Sequence, residues 1–348
     1  MPMTSTREHR IRAIASCVPE RVFDNTSDST EFSPKEIDAV VKLVGIKTRH
    51  LAPETICSSD LCLAAARQVM AQLTWAPETI DCLVMVTHSP DYWQPATACV
   101  LHKELGLSDH CAAFDVGLGC SGYAYGLWLA AMMLENPSFK RVLLLQGETP
   151  SRFCDPLDRT VGLLFGDAGS ATAIEPGDSS SAKRWWFSLH TDGSGYRDLI
   201  IEGGGFRNRF PADAKKHYLT MDGPGIMNFT LKRVPPLISD TLAAAGVSPD
   251  AVDYFILHQS NRFIMNHLAR KCKVPMAKIP LTLWEYGNTG GPSVPLTITQ
   301  GKLARPADRG LNLLLVAYGV GLSWGSALVE LPADAFLSHL ISPDNTAG

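Results

Sequence analysis

The sequence predicts an α/β protein made of two similar halves. Apolar, β-rich runs alternate with segments of helical periodicity along the chain. The same kinds of run return in the same order after about 156 to 172 residues. A polar Gly/Ser stretch, GDSSSAKR (177–184), lies between the two series. At 348 residues the chain is also near the size at which one core divides into two. The halves are therefore placed at 1–180 and 181–348.

The N-terminal stretch MPMTSTREHRIRAIASCVPE has no apolar run of signal-peptide length, so no export signal is expected. SSDLCLAAARQVMAQL (58–73) reads as a helix with Ser59 or Asp60 available as its cap. DCLVMVTHS (81–89) reads as a buried strand. AAFDVGLGCSGYAYGLWLAAMM (112–133) is a strand-like end, a glycine-rich turn and an apolar helix. Gly122, Tyr123, Tyr125 and Gly126 interrupt that helix, which fits a buried core element and not a membrane span. RVLLLQGE (141–148) and SATAIEP (170–176) are strands. Residues 185–230, including EGGGFRNRF, look irregular, and long loops of this kind shape a substrate site or a subunit contact. In the second half PPLISDTLAAAG (235–246) and NRFIMNHLARKC (261–272) read as helices. DYFILHQS (253–260), LNLLLVAYG (311–319) and SALVEL (326–331) read as strands.

The repeat rests on flanking residues as well as apolar character. APETIDCLVMVTHS (76–89) matches SPDAVDYFILHQS (248–260): Pro and an acidic residue, then an Asp opening a strand, then a histidine near its end. RVLLLQGE is echoed by LNLLLVAYG, and GSATAIEP (169–176) by GSALVELP (325–332).

Net charge is −4, which argues against a nucleic-acid footprint. Nine cysteines cannot all pair and none forms a C-x-x-C, so neither a disulfide framework nor a zinc site is expected, and a cytoplasmic setting fits.

Cys120 stands where the strand-like end passes through glycines into the helix. Backbone N–H groups at a helix start are unpaired and the dipole is positive there, which favours a thiolate. The same N–H groups can receive the oxyanion of an attacked carbonyl. A buried cysteine packed at a helix start fits the stretch equally well. His258 and Asn261 sit at a strand end, where α/β proteins place functional groups, though structural histidines are common there. LWEYGNTGGPSVPL (283–296) sets Asn288 between glycines ahead of two prolines, as a rigid ligand loop or an ordinary turn would. YGVGLSWGSAL (318–328) is a glycine-rich turn whose N–H groups can bind an oxyanion or simply link two strands.

Taken together these stretches resemble the β-ketoacyl-ACP synthase III family of the thiolase superfamily. The resemblance is carried by GIKTRH (45–50), FDVGLGCSG (114–122), CDPLDR (154–159), FGDAGSA (165–171), HTDGS (190–194), HQSN (258–261), YGNTGGPSVP (286–295) and GVGLSWGSAL (319–328). It implies a duplicated thiolase-like fold, a five-layered α/β/α/β/α sandwich, in a homodimer. It implies Cys120 as nucleophile, with His258 and Asn288 completing the catalytic set. An acyl-CoA would load Cys120. A malonyl thioester, malonyl-ACP or malonyl-CoA, would then lose CO₂ while His258 and Asn288 hold its carbonyl. Backbone N–H groups of Cys120 and Val320 would bind the oxyanion at the acyl-cysteine. No metal or organic cofactor is implied; CoA and the phosphopantetheine of acyl carrier protein are substrate carriers.

The chain departs from the family pattern in places. Val320 occupies the middle of a turn that usually reads Gly-Gly-Gly. Arg262 and Phe263 follow HQSN where members carry Leu-Arg. EIDAVVKLVGI (36–46) lacks the Trp that stacks on the CoA base in acetyl-CoA-using members. Arg159 matches the family's CoA-contacting Arg. Arg262, Arg270 and Lys271, with the RKCK run (270–273), match the face that docks the acidic carrier protein. Three other readings share parts of this pattern: a thiolase-fold acyltransferase acting on an alcohol or amine, a papain-like Cys-His-Asn hydrolase, and a non-catalytic subunit of the same fold.

Overall fold

The computed structural model describes residues 3–178 and 183–342. The first half runs β1 (Met3–Arg7), β2 (His9–Pro19), β3 (Val22–Asp24), α1 (Pro34–Val44), β4 (Thr48–His50) and α2 (Ser58–Leu73). It continues with β5 (Cys82–Val86), α3 (Thr97–Glu104), β6 (Ala112–Val116), α4 (Gly122–Leu134), β7 (Val142–Glu148) and β8 (Ala168–Pro176). The second half runs β9 (Arg184–Thr191), β10 (Leu199–Ile201), β11 (Leu219–Met221), α5 (Gly223–Ala245), β12 (Tyr254–Leu257) and α6 (Arg262–Cys272). It ends with α7 (Leu283–Tyr286), α8 (Ser293–Gln300), β13 (Leu311–Gly319), β14 (Ser323–Leu331) and β15 (Phe336–Ser342).

One sheet is ordered β15-β2-β8-β7-β5-β6 and the other β1-β9-β14-β13-β12. The repeat is visible in the pairing. β2–β8 and β8–β7 are antiparallel and β7–β5 is parallel. Likewise β9–β14 and β14–β13 are antiparallel and β13–β12 is parallel. Even the opening aspartates act alike. Asp81 accepts the Arg141 N–H and Asp253 accepts the Asn312 N–H, each at the start of the neighbouring strand.

The divide at residue 180 separates two repeats but not two independent bodies. β1 pairs with β9, and β15 pairs with β2, so each half lends a terminal strand to the other's sheet. Of the expected linker 177–184, residues 179–182 lie outside the described residues.

Five layers result. α2 covers the outside of the first sheet through Leu61, Ala65 and Val69. α5 and α6 cover the outside of the second through Leu237, Ile264 and Leu268. Between the sheets, Tyr123, Leu127 and Ala131 of α4 and Val294 and Ile298 of α8 share one core with strands of both. α4 is apolar all round because it has sheet on both sides. Its small residues permit that approach: a Cβ on Gly126 would lie 2.7 Å from Leu144 Cδ1.

Some elements differ from expectation. α2 is capped at Cys57, whose N–H donates to Asp60 at 2.7 Å, and not by Ser59. α5 starts at Gly223, well before 235, and runs through Pro235 and Pro236, because Phe229, Thr230 and Val234 are already committed to the core. The stretch 185–230 is not irregular throughout, since it holds β9 and the β10–β11 ribbon.

Candidate active site

β6 ends at Val116, and Gly117, Leu118 and Gly119 carry the chain to Cys120 just before α4. The Gly119 carbonyl accepts the Gly122 N–H at 2.8 Å, which closes the turn. Asp115 accepts the N–H groups of Thr97 and Ala98, both at 2.7 Å, so β6 is fixed to the start of α3. Cys120 is 9% exposed, and that exposure faces a cavity of about 250 Å³. The backbone N–H groups of Cys120 and Val320 both lie near its thiol and favour negative charge on it. Gly319, at φ +158, makes this contact possible: a Cβ there would lie 2.6 Å from Cys120 Cβ. Ser323 Oγ donates to the Val320 carbonyl at 2.8 Å and stands 2.6 Å from Ser121 Oγ, which ties this turn to the cysteine's neighbour.

His258 is buried at the end of β12. Its Nδ1 lies 2.8 Å from Ser293 Oγ, and that oxygen also accepts the Gln259 N–H at 3.3 Å. With the serine's own proton donated to Nδ1, the ring proton sits on Nε2. The Tyr318 ring meets the imidazole edge-on at 5.4 Å. Burial drives the imidazole down to about 4, against a smaller opposing hydrogen bond to the Gly290 backbone, so it is neutral at neutral pH.

Asn288 is held by its own backbone. Its N–H donates to the Leu164 carbonyl at 2.9 Å, and its carbonyl accepts the Gly166 N–H at 3.1 Å. Oδ1 accepts the Gly290 N–H at 3.0 Å, which leaves the Nδ2 amide as the end offered to a ligand.

Gly290 joins the three. It lines the Cys120 cavity, donates to Asn288 and bonds to His258. Next to it, a Cβ on Gly291 would lie 2.7 Å from the Gly119 carbonyl oxygen and 2.1 Å from Gln146 Nε2. The loop from the second half therefore rests directly on the turn that carries the thiol.

The cavity wall is mostly apolar and includes Phe153, Phe165, Leu199, Ile200, Ile201 and Leu219. The β10–β11 ribbon thus shapes the site, from within the stretch expected to do so. Two ionisable residues that sequence reasoning missed also line it, His88 and Glu148. Glu148 accepts the His88 N–H at 2.9 Å and the Ser89 hydroxyl at 3.1 Å, and burial pushes its carboxyl up to about 8. His88 Nε2 donates to the Gly117 carbonyl at 3.1 Å, so Nδ1 is the bare nitrogen. Both follow the C-terminal ends of parallel strands, the signal that singled out His258.

The expectation that the helix mouth ionises Cys120 is overturned for the ligand-free site. Burial, with the nearby Glu148 carboxyl adding to it, pushes the thiol up to about 12, and the two N–H groups only partly offset this.

The basic residues divide. Arg159 Nη1 pairs with Glu36 of α1 at 2.9 Å. Arg262 is not a free docking group: it lies over Gly45 and donates to the Lys42 carbonyl at 2.6 Å, which caps the C-terminal end of α1. Lys271 likewise donates to the Leu231 carbonyl of α5 at 2.6 Å, and Arg270 Nε to the Asn266 carbonyl at 3.4 Å. Arg159 and Arg262 therefore flank α1, whereas Arg270 and Lys271 lie at the far end of α6. Among the described residues no helix is long and apolar enough to cross a membrane, and no group of three or more His, Cys, Asp or Glu is placed to hold a metal.

Comparison with known proteins points the same way. The family described as 3-oxoacyl-[acyl-carrier-protein (ACP)] synthase III matches residues 114–193, and its C-terminal counterpart matches residues 242–331. A beta-ketoacyl-[acyl-carrier-protein] synthase III of Koribacter versatilis is 32% identical over 338 residues, covering 94% of this chain and 99% of that protein. One from a Bradyrhizobium species is 34% identical over 320 residues, covering 90% and 96%. The crystal structure of a 3-oxoacyl-(acyl-carrier protein) synthase from Burkholderia xenovorans superposes with a TM-score of 0.94 at 39% identity, over 98% of this chain and 99% of that one. With its duplicated sheets and relatives more than 30% identical that are matched nearly end to end, the chain belongs to the β-ketoacyl-[acyl-carrier-protein] synthase III family.

Proposed function

We propose that the protein condenses a Cys120-bound acyl group with a malonyl thioester in two half-reactions. In the first, the Cys120 sulfur attacks the carbonyl of an acyl-CoA. The N–H groups of Cys120 and Val320, which favour negative charge on the thiol, would take the oxyanion. The C–S bond to CoA breaks, and CoA departs as a thiol with the proton given up by the cysteine. In the second, malonyl-ACP or malonyl-CoA loses CO₂. The electrons of the broken C–C bond move onto the thioester oxygen, held by His258 Nε2–H and Asn288 Nδ2–H. The resulting carbanion attacks the acyl-cysteine carbonyl, the C–S bond to Cys120 breaks, and the β-ketoacyl thioester leaves with Cys120 as a thiolate that takes a proton from solvent. Two neutral donors in a dry site suit this charge development, and every bond change is accounted for without metal or organic cofactor.

The observation that carries the proposal is the Gly290 junction, which joins the cavity of Cys120 to both His258 and Asn288. Simple transfer of the acyl group to an alcohol or amine is less well supported, since the relatives of 32–34% identity described above are named as beta-ketoacyl-[acyl-carrier-protein] synthases. The reading includes acyl carrier protein as partner, a homodimer and a cytoplasmic setting. The last is supported by nine cysteines that are all unpaired.

The test separates the half-reactions. Cys120→Ser is expected to abolish acyl loading. His258→Ala and Asn288→Ala are expected to load normally and to lose CO₂ release from malonyl-ACP by about 10²–10³-fold. Acyl loading of Cys120→Ser at the wild-type level would overturn the assignment.

A further inference from the structure

The cavity beside Cys120 is too large and too apolar for the smallest acyl group. An interior cavity of about 150 Å³ walled by Leu, Ile and Phe stays dry and holds a benzene ring. The one here has about 250 Å³ and is open to solvent along one side, where Ile201 is 37% exposed. Phe153 and Phe165 contribute to its wall, as do Leu199, Ile200 and Ile201 of β10 and Leu219 of β11. Val320 already projects a side chain into it and still leaves this volume. A two-carbon acyl group on Cys120 would leave most of that wall uncovered.

The polar groups exclude another class. Glu148 accepts from the His88 N–H and the Ser89 hydroxyl, and His88 Nε2 donates to the Gly117 carbonyl, so neither presents a positive charge to the cavity. Among the described residues no Lys or Arg side chain lines the cavity. A carboxylate at the end of the acyl chain would be desolvated without a partner.

We infer that the first substrate is the CoA thioester of an uncharged, apolar acyl group of about six to eight carbons, not acetyl-CoA. The inference rests on the acyl-cysteine proposed above. The acyl–Cys120 bond forms and the CoA thioester breaks as already described; only the chain differs. Each methylene moved from water into the cavity favours loading by about fourfold, so four methylenes favour hexanoyl over acetyl on the order of 10²-fold.

Intact-protein mass spectrometry of the full chain, with acetyl-, butyryl-, hexanoyl-, octanoyl-, dodecanoyl-, benzoyl- and succinyl-CoA, reads this directly. Initial loading rates at equal sub-saturating concentration are expected to rise to hexanoyl and octanoyl, to fall at dodecanoyl, and to be negligible for succinyl. Acetyl loading as fast as octanoyl would overturn this inference and leave the acyl-cysteine intact. Failure of every thioester to load would overturn the acyl-cysteine itself. Ile200→Trp fills the cavity from a half-buried wall position and is expected to shift the optimum to acetyl or butyryl. An unchanged chain-length profile in a folded Ile200→Trp protein would show that this wall does not bound the acyl chain.

Discussion

Ser293 stands at Nδ1 of His258, and the proposed chemistry needs the ring proton on Nε2. Ser293→Ala removes the 2.8 Å contact at Nδ1 and frees the tautomer. Decarboxylation should fall about tenfold while acyl loading stays unchanged, since one hydrogen bond of about 1.4 kcal/mol is lost at this ring only. Equal loss in both half-reactions would point to a general packing defect instead. Glu148 gives a second prediction at this scale. Its carboxyl ionises near 4.5 when unfolded and near 8 when folded, so the unfolded state holds fewer protons between these values. Stability should therefore fall as pH rises from about 5 to 8, by at most about 1.4 kcal/mol per pH unit. Glu148→Gln should flatten that slope in urea titrations across the same window, and a slope as steep as that of wild type would contradict the assignment. Cys120, His258 and Asn288 were legible because each stands at a strand end or between glycines. Ser293, His88 and Glu148 were not, because their meaning lies in contacts with residues distant in sequence. Nor was the thiol's pKa legible, since burial depends on what closes over the helix mouth.

Two glycine contacts between elements assemble the site. At Gly319 the turn between β13 and β14 needs a left-handed φ and has no room for a Cβ against Cys120. Gly319→Ala should cost at least about 2 kcal/mol and abolish acyl loading by displacing the Val320 N–H. Retained loading in that variant would show that the turn is not the oxyanion support. At Gly291 the obstacle is Gln146, whose buried amide has no partner among the described residues. Gly291→Ala should destabilise the protein, and adding Gln146→Ala should recover part of the loss, a coupling measurable as a double-mutant cycle in urea. Strict additivity would contradict the contact. The buried strands that could be recognised were those with apolar runs, β5, β7, β8, β12, β13 and β14. β2 begins with His9, Arg10 and Arg12, and β9 follows the polar linker, so their strand character emerges only from pairing at the middle of the sheets. The prolines hid most of α5, where burial of one face overrides local preference.

At the scale of the whole molecule, the duplication was legible in order and flanking residues, but the exchange of terminal strands was not. β1 and β15 hold equivalent edge positions, beside β9 and beside β2, and their partners are settled only when the two sheets come together. The exchange links the halves, so calorimetry should show one unfolding transition. Deleting residues 1–8 should lower that single transition without splitting it, and two resolved transitions would contradict the linkage. The central claim joins both halves as well: the first carries the acyl group and the second discharges it. Peptide mapping of acyl-loaded enzyme before and after one equivalent of malonyl-ACP tests it most directly. The account predicts the acyl mass on the Cys120 peptide alone, and its disappearance on mixing with release of CO₂ and a β-ketoacyl product. An acyl group on any other residue, or one that stays on Cys120 while CO₂ is released, would contradict it.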